Sequence, residues 1–320
     1  MIQVGIPNVD VSIIIVNWNT KKLLRDCLES VYEEAGDIDY EVIVVDNASV
    51  DGSAEMVRND FRRVILIENQ ENRGFAAANN QAMAVAKGRY ILLLNSDTVV
   101  LENAIANTVQ FADAHPDAGV TGCRVLNLDG TVQRTCFMFP SILNILLSST
   151  YLYKFFPKSK FFGREQMTWW DRSDVRQVDV VTGCFMLVRR EAIDQVGMMD
   201  ERFFMYGEET DWCYRFGKKG WKVMFAPVGQ IIHFGGQSAS QKPVAMIVQL
   251  RLSILKFIRK HNGWLSHLIA RFLIAFFFAV RLPAWFAVFS FRPGVRSKAS
   301  VKMQAYSSGI VDVLFGRIDP

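Results

Sequence analysis

The chain has 320 residues, 50% of them hydrophobic and 21% charged, which excludes a disordered or fibrous protein and allows one large core or two modest ones. Its net charge of +4 conceals a divide: 20 Lys+Arg stand against 30 Asp+Glu through Asp211, a net of −10, and 16 stand against 2 beyond it, a net of +14. The cysteines Cys27, Cys123, Cys136, Cys184 and Cys213 are scattered, odd in number and without a CxxC pair, so a disulfide framework and a zinc knuckle are excluded and a reducing compartment is expected.

The N-terminus, MIQVGIPNVDVS, has neither a basic n-region nor a long apolar core, so no signal peptide is expected. Val11–Val16 reads as a first buried strand, followed by the turn Asn17–Thr20 and an amphipathic helix over Lys21–Glu34. Tyr40–Val45 is a second strand running into Asp46-Asn47-Ala48-Ser49. Ser49, Asp51 and Ser53 are candidate caps for a helix over Ser53–Asp60. Val64–Ile67 reads as a third strand, Asn69–Gly74 as a loop, and Phe75–Ala86 as an alanine-rich helix closed by Gly88.

Arg89–Val100, RYILLLNSDTVV, organises the rest. Its apolar run Tyr90–Leu94 suits a strand buried on both faces, and it stops abruptly at Asn95, Ser96 and Asp97. Strands alternating with helices at this spacing give a doubly wound, parallel α/β sheet. Ligands of such sheets gather beyond the carboxyl ends of the strands. Asp97 is therefore where chemistry is expected, with Asn95 projecting to the same side. A carboxylate there can hold a divalent metal that also grips a diphosphate; read locally, it can also cap the next turn and helix.

A helix over Glu102–Ala114, a strand over Gly119–Val125 and a hairpin turn at Asn127–Gly130 follow. Thr135–Gln177 reads as a long, partly helical insertion. Val178–Val188 is a strand broken at Gly183, Arg190–Gly197 a short helix, Phe203–Gly217 the approach to another, and Trp221–Ala226 and Gln230–His233 late strands. Beyond Gln241 the pattern becomes helical, basic and apolar. Leu268–Phe291 is interrupted by Arg271, Arg281 and Pro283, and its longest uncharged run in the middle, Phe272–Val280, is shorter than the roughly 20 residues needed to cross a bilayer. The tail is expected to lie in an anionic membrane interface with its arginines snorkelling. A single span at about 268–291, or packing on the catalytic domain or in a homodimer, are the alternatives.

Three constellations carry chemistry. The strand-end clusters Asn17–Thr20, Asp46–Ser49, Asn72–Gly74 and Asn95–Asp97 should meet along one crevice whose polar groups suit a nucleotide. The candidate donor-binding residues are Asn17, Asn19, Asp46, Asn47, Arg73, Gly74, Asn95 and Ser96. Taken singly, Asp46 also reads as a turn former and Arg73 as a solvated loop charge; no GxGxxG dinucleotide fingerprint is present. The second constellation is MYGEETDWCYR, which gathers Glu208, Glu209 and Asp211 at a helix start, where the dipole favours negative charge. These are first-turn decoration, or they supply a general base beside a sugar-stacking platform of Tyr206 and Trp212. In the third, IIHFGGQS, His233 precedes two glycines that let backbone approach phosphate. Its neutral imidazole can complete a metal site begun by Asp97, or simply pack.

Val11–Ser240 resembles the family 2 inverting glycosyltransferases, and within them is most similar to the bacterial rhamnosyltransferase-like branch. VSIIIVNWNTKKLLRDCLES, VIVVDNASVDGS, ENRGFAAANN, ILLLNSDTVV and FFMYGEETDWCYRFGKKGWKVMFAP stand in the family order, followed by IIHFGGQS. The resemblance implies a GT-A fold with a Rossmann-like, mixed and mainly parallel sheet, a dTDP- or UDP-sugar donor, and Mg²⁺ or Mn²⁺. It implies that Asp46 contacts the base with Arg73 nearby, that Asn95 and Asp97 form the DxD-type element with Asp97 the metal ligand, and that His233 falls where some members place another ligand. Glu208-Glu209 matches the family's Glu-Asp motif, making Glu209 the expected catalytic base. Two departures matter: Asn95 replaces a carboxylate, and Glu209 replaces the usual Asp, which leaves Glu208 a rival base.

The expected function is inverting transfer of a sugar, rhamnose on the precedent of the branch, to a hydroxyl of a glycan or lipid-linked acceptor in cell-surface polysaccharide synthesis. The enzyme is expected in the cytoplasm, peripheral at the inner face of the membrane, with no nucleic-acid partner. A non-catalytic nucleotide- or glycan-binding relative at a membrane is the alternative; a sugar nucleotidyltransferase lacks its glycine-rich N-terminal loop here. Residues 1–241 are expected to form the catalytic domain, donor part at about 11–130 and acceptor part at about 131–241, with 242–320 a basic helical region.

Overall fold

The doubly buried strands expected from the apolar runs form the centre of a nine-stranded sheet in a computed structural model, which describes residues 9–150, 152–237 and 241–316. Met1–Asn8, within the stretch read for a signal peptide, and Ser238 of IIHFGGQS lie outside the described residues. The chain groups into two units. The first comprises Met1–Phe137, Asp171–Phe204 and Glu208–Ser238; the second comprises Met138–Trp170, Met205–Gly207 and Ala239–Pro320. The insertion at 138–170 therefore groups with the C-terminal helices rather than with the strands that flank it in sequence.

In the first unit the strands are β1 (Val11–Asn17), β2 (Tyr40–Asp46), β3 (Ile65–Glu68), β4 (Tyr90–Asn95), β5 (Thr98–Leu101), β6 (Ala118–Leu126), β7 (Cys136–Phe137), β8 (Arg176–Gln177), β9 (Val180–Val181), β10 (Phe185–Arg189) and β11 (Lys222–His233). The sheet order is β3-β2-β1-β4-β10-β6-β11-β5, with β8 beside β11, while β7 and β9 pair separately. Ile13, Ile14, Ile15, Val42 to Val45 and Ile91 to Leu94 are all buried. Strands apolar on both faces need helices on both sides. The amphipathic helix Lys21–Glu34 supplies Leu24, Cys27, Leu28 and Val31, and the helix Gly74–Val85 presents Ala76, Ala77, Ala78 and Ala82. The parallel register sets Asn17 opposite Asp46 and Val16 opposite Asn95, so β1 and β2 end level and β4 ends one residue short of them.

The sheet departs from a purely parallel one. β10 inserts antiparallel between β4 and β6, and β5 runs antiparallel to the end of β11. The two expected late strands are one strand, β11, whose register against β6 shifts between Phe225 and Gln230. Gly229 lies at this irregularity, where an added Cβ would sit 2.4 Å from the Ala104 Cα. The helix Ser53–Asp60 forms as expected, but Gly52 at a φ of 80° occupies the N-cap, and Asp51 accepts from the Ser53 backbone and hydroxyl.

In the second unit, the helix Ile142–Ser149 starts at Ser141, whose hydroxyl accepts from the Asn144 N–H. The helical run Pro243–Ala279 is interrupted at Gly263 (φ 82°, ψ 178°), a conformation that only glycine adopts readily. Helices Leu282–Phe291 and Arg296–Phe315 follow. Phe278 packs against Tyr306 and against Gly309, where a Cβ would lie 2.6 Å from its ring. By length and composition the stretch Pro243–Phe291 is enough to cross a membrane, and 22% of its most apolar window is buried.

The two arginines expected to snorkel turn inward. Arg271 donates to the carbonyls of Leu314 and Gly316, and Arg281, 2% exposed, donates to those of Ser148, Ser149 and Phe277 while stacking on the Phe277 ring. Each supplies donors to helix-end carbonyls that have no intrahelical partner.

Gly229→Ala should destabilise the protein by about 1–3 kcal/mol, since the added methyl meets backbone that cannot step aside. A urea titration measures this; an unchanged midpoint would remove the close approach as the reason for glycine there.

Candidate active site

The strand ends produce a row of polar groups. Asn17, fully buried, donates from Nδ2 to Asp46 Oδ1 at 2.9 Å and to Ser49 Oγ at 3.1 Å, and accepts from Thr20 Oγ1 at 2.6 Å. Thr20 Oγ1 also lies 2.9 Å from Ser96 Oγ, which ties the β1 and β4 turns together. Asp46 Oδ2 accepts from the Ser49 N–H. Asn19, at a φ of 53°, accepts from the Val50 N–H, and its own N–H donates to Ser49 Oγ. Asn47 donates to the Gly74 carbonyl and accepts from Asn69. Asn17 and Asn47, expected as donor contacts, are buried, as Asp46 is, and their amides bond to the loops beside them. Arg73 is exposed at the start of the helix Gly74–Val85.

Gly74 has a structural reason to be glycine. At a φ of 82°, its missing Cβ would lie 2.4 Å from the Phe204 carbonyl oxygen, which accepts from the Phe75 N–H at 2.8 Å. The close approach ties the Asn72–Gly74 loop to the segment that leads toward Glu208. Asn80 reinforces it, donating to the Met199 carbonyl and to Glu201, and accepting from the Met199 N–H.

Asp97 and His233, 136 positions apart in sequence, meet because Thr98 pairs with His233 across β5 and β11. His233 Nε2 lies 3.2 Å from Asp97 Oδ1 and 3.3 Å from Asn95 Nδ2, and its Nδ1 is 2.7 Å from Gln133 Oε1. Gln133 donates through Nε2 to Asn127, so its oxygen is left to accept from His233 Nδ1–H. That leaves the Nε2 lone pair facing Asp97, the tautomer a metal-ligating imidazole needs. Gln133 went unnoticed in the sequence, although a hairpin closed at Asn127–Gly130 carries it back beside Val125, whose carbonyl accepts its N–H. Among the described residues no group of three or more His, Cys, Asp or Glu side chains converges as a metal site. A carboxylate and an imidazole match a divalent ion that takes its other ligands from phosphate and water.

The acidic helix Glu208–Lys218 divides its carboxylates among different tasks. Asp211 is fully buried and accepts from Arg215 Nε at 2.8 Å, while Arg215 also donates to the carbonyls of Val196 and Met198. Asp211, expected in the catalytic cluster, is thus half of an ion pair that fastens the preceding turn. Trp212, expected in a sugar platform, is also fully buried, packing on Phe216 and donating to the Gly197 carbonyl. Glu208 is 3% exposed and Glu209 is half-buried. Burial pushes the Cys184 thiol up to about 12, and the carboxylates of Asp97 and Glu209 both add to that rise. Cys184 lies against the end of β4, where the Asn95 N–H donates to its carbonyl.

A family model for "Glycosyl transferase family 2" matches residues 12–197, more than half of the chain and all of the donor-side strand ends. The chain belongs to glycosyl transferase family 2. The matched stretch stops short of Glu208 and His233, so the geometry above is what joins those residues to it. An N-acetylglucosaminyl-diphospho-decaprenol L-rhamnosyltransferase of Mycobacterium tuberculosis is 28% identical over 235 residues, covering 70% of this chain and 76% of that one. The O-antigen biosynthesis protein RfbC of Myxococcus xanthus is 26% identical over 76% of this chain and 18% of its own length. Among solved structures, the mannosyltransferase PcManGT of Pyrobaculum calidifontis, in complex with GDP-Man and Mn²⁺, superposes with a TM-score of 0.59 at 18% identity, over 97% of this chain and 88% of that one. This family 2 member is a glycosyltransferase of GT-A fold.

Asp211→Ala should lower stability by about 3 kcal/mol, because it leaves the Arg215 charge without its buried partner. Chemical denaturation followed by tryptophan fluorescence checks this. Unchanged stability with abolished turnover would return Asp211 to the catalytic group.

Proposed function

We propose that this enzyme transfers a sugar from a nucleoside-diphosphate donor, a dTDP- or UDP-sugar, to a hydroxyl of a glycan or lipid-linked acceptor, with inversion. The observation that carries this reading is the pairing of Asp97 with His233, Oδ1 to Nε2 at 3.2 Å, just beyond the carboxyl end of β4 and beside the polar ends of β1 and β2. In a single displacement one carboxylate must take the acceptor proton while the diphosphate leaves from the opposite side of the anomeric carbon. Glu209 is the base: it is more accessible than the buried Glu208, and it stands where the resemblance to the family's Glu-Asp motif puts that carboxylate. Glu208 lies in the first turn and orients the helix start.

Asp97 and His233 would hold a divalent ion, Mg²⁺ or Mn²⁺, whose charge offsets that of the departing diphosphate. Gln133 keeps the imidazole in the required tautomer, and Asn95, in place of a carboxylate, adds an amide without adding charge. On the donor side, Asp46 accepts from the nucleobase beside the exposed Arg73, while Asn19 and Ser96 shape the crevice. The M. tuberculosis relative, named for rhamnosyl transfer to a diphospho-lipid, supports rhamnose as the sugar and a lipid-linked glycan as the acceptor. Such an acceptor sets the work at the cytoplasmic face of a membrane, in the assembly of a surface polysaccharide. Retention of both Asp97 and Glu209 argues against a non-catalytic relative.

Nucleoside-diphosphate release measured across dTDP-, UDP- and GDP-sugars should single out one donor and cease in EDTA. Asp97→Ala should lose most turnover in a folded protein. Full activity in EDTA would remove the metal role and leave Asp97 as a capping residue.

Glu209→Gln should lower turnover by about 10² or more with donor affinity retained, and Glu208→Gln should do less. The reverse order would make Glu208 the base.

A further inference from the structure

The charge divide follows the three-dimensional units more closely than it follows position in the chain. The second unit holds 16 Lys+Arg against 3 Asp+Glu, a net of +13, and the first holds 20 against 29, a net of −9. The insertion shares in this. Its segment Lys154–Phe162, KFFPKSKFF, alternates lysines with aromatic residues, and Phe155, Phe156 and Phe161 are 76%, 52% and 52% exposed beside the exposed Lys154, Lys158 and Lys160.

The C-terminal helices of the same unit repeat the pattern. At 3.6 residues per turn, the exposed Leu265, Leu268, Ile269, Phe272, Phe276 and Val280 fall on one stripe about 120° wide, opposite the buried Ala270, Ile274 and Phe278. Between Gly263 and Ala279 this helix is about 24 Å long, less than the roughly 30 Å hydrocarbon core. Next come the exposed Phe286, Phe289 and Phe291, with Arg292, Arg296 and Lys298 also exposed. From Gln241 to Val311 there is no acidic residue.

We propose that the second unit is a membrane-docking module that lies in the interface of an anionic bilayer, and that the Lys154–Phe162 segment is a foot of this module alongside the stripe Leu265–Val280 and the Phe286–Lys298 segment. Aromatic side chains enter the headgroup boundary while lysines and arginines meet anionic lipid. Charge decides the occupant. A second copy docking through its own second unit would press like charges together, and a nucleic acid would give the aliphatic stripe nothing to bury against, since such interfaces are polar. Docking is independent of the donor chemistry, so its failure leaves the Asp97 and Glu209 readings untouched.

The test uses the full-length protein with phosphatidylcholine vesicles, with and without phosphatidylglycerol, at low and high salt. Binding should need the anionic lipid and weaken with salt. The triple variant Lys154→Glu, Lys158→Glu, Lys160→Glu should weaken it about 10²-fold. The triple variant Phe155→Ser, Phe156→Ser, Phe161→Ser should also weaken it, and all six positions are exposed, so circular dichroism should not change. Brominated lipid should quench the intrinsic fluorescence, and less so in Trp264→Phe, since Trp264 is exposed next to Leu265 at the start of the stripe. Vesicle binding unchanged in both triple variants would overturn the insertion as a foot. No vesicle binding at low salt, displacement of vesicles by an oligonucleotide, or a dimer that the same variants dissociate would overturn the module.

Discussion

The register of β1, β2 and β4, whose polar ends fall within one residue of each other, is the constraint on which the site depends. Each ends an apolar run, Ile13–Val16, Val42–Val45 or Tyr90–Leu94, in a polar residue: Asn17 and Asp46 stand opposite each other, and Asn95 one position back, opposite Val16. A slip of one position would draw an amide or a carboxylate into a helix-covered core, at a cost of about 1–3 kcal/mol for each polar group left without partners. Hydrophobic burial thus fixes the strands and the polar ends fix their register. The bonds from Asn17 to Asp46 and from Thr20 to Ser96 then lock the loops into a common edge. Nothing on this edge has to be positioned by long flexible side chains.

How much of this was legible follows from which interactions are local. Apolar runs and helical spacing are local, so β1, β2, β4 and the helices Lys21–Glu34 and Ser53–Asp60 could be placed to within a residue. Their polar ends could be read because a strand that stops abruptly has little else to do with an Asn or an Asp. Neighbours in the sheet are not local. The five residues Phe185–Arg189 look the same whether they run parallel or antiparallel, and only the structure places them between β4 and β6. His233 could be singled out by its glycines but not paired with Gln133, because that contact passes through a hairpin and a strand crossing.

The acidic helix shows a different loss. Glu208, Glu209 and Asp211 look alike as a cluster, yet the sequence does carry a signal that separates them. Asp211 and Arg215 stand four apart, as do Trp212 and Phe216, so one face of the helix is committed to an ion pair and to core before any chemistry is assigned. Residues at helical spacing with a partner on their own helix have a structural use ready to hand. Glu208 and Glu209 are on neither pair, so the spacing sets Asp211 apart from both of them.

Arginine in an apolar segment invites a similar correction. Placed by sequence alone, Arg271 and Arg281 go to lipid headgroups, because only the cost of burying a charge is visible. What the sequence hides is the demand at the ends of neighbouring helices, each of which leaves four carbonyls without intrahelical donors. Helix Arg296–Phe315 ends beneath Arg271 and helix Ile142–Ser149 ends against Arg281, so both guanidiniums find carbonyl oxygens without leaving the protein. Their delocalised charge stacks and donates in several directions at once, which a lysine could not do. The second unit consequently uses two kinds of cation: inward-turned arginines that join its helices, and exposed lysines and arginines that stand beside phenylalanines on its surface.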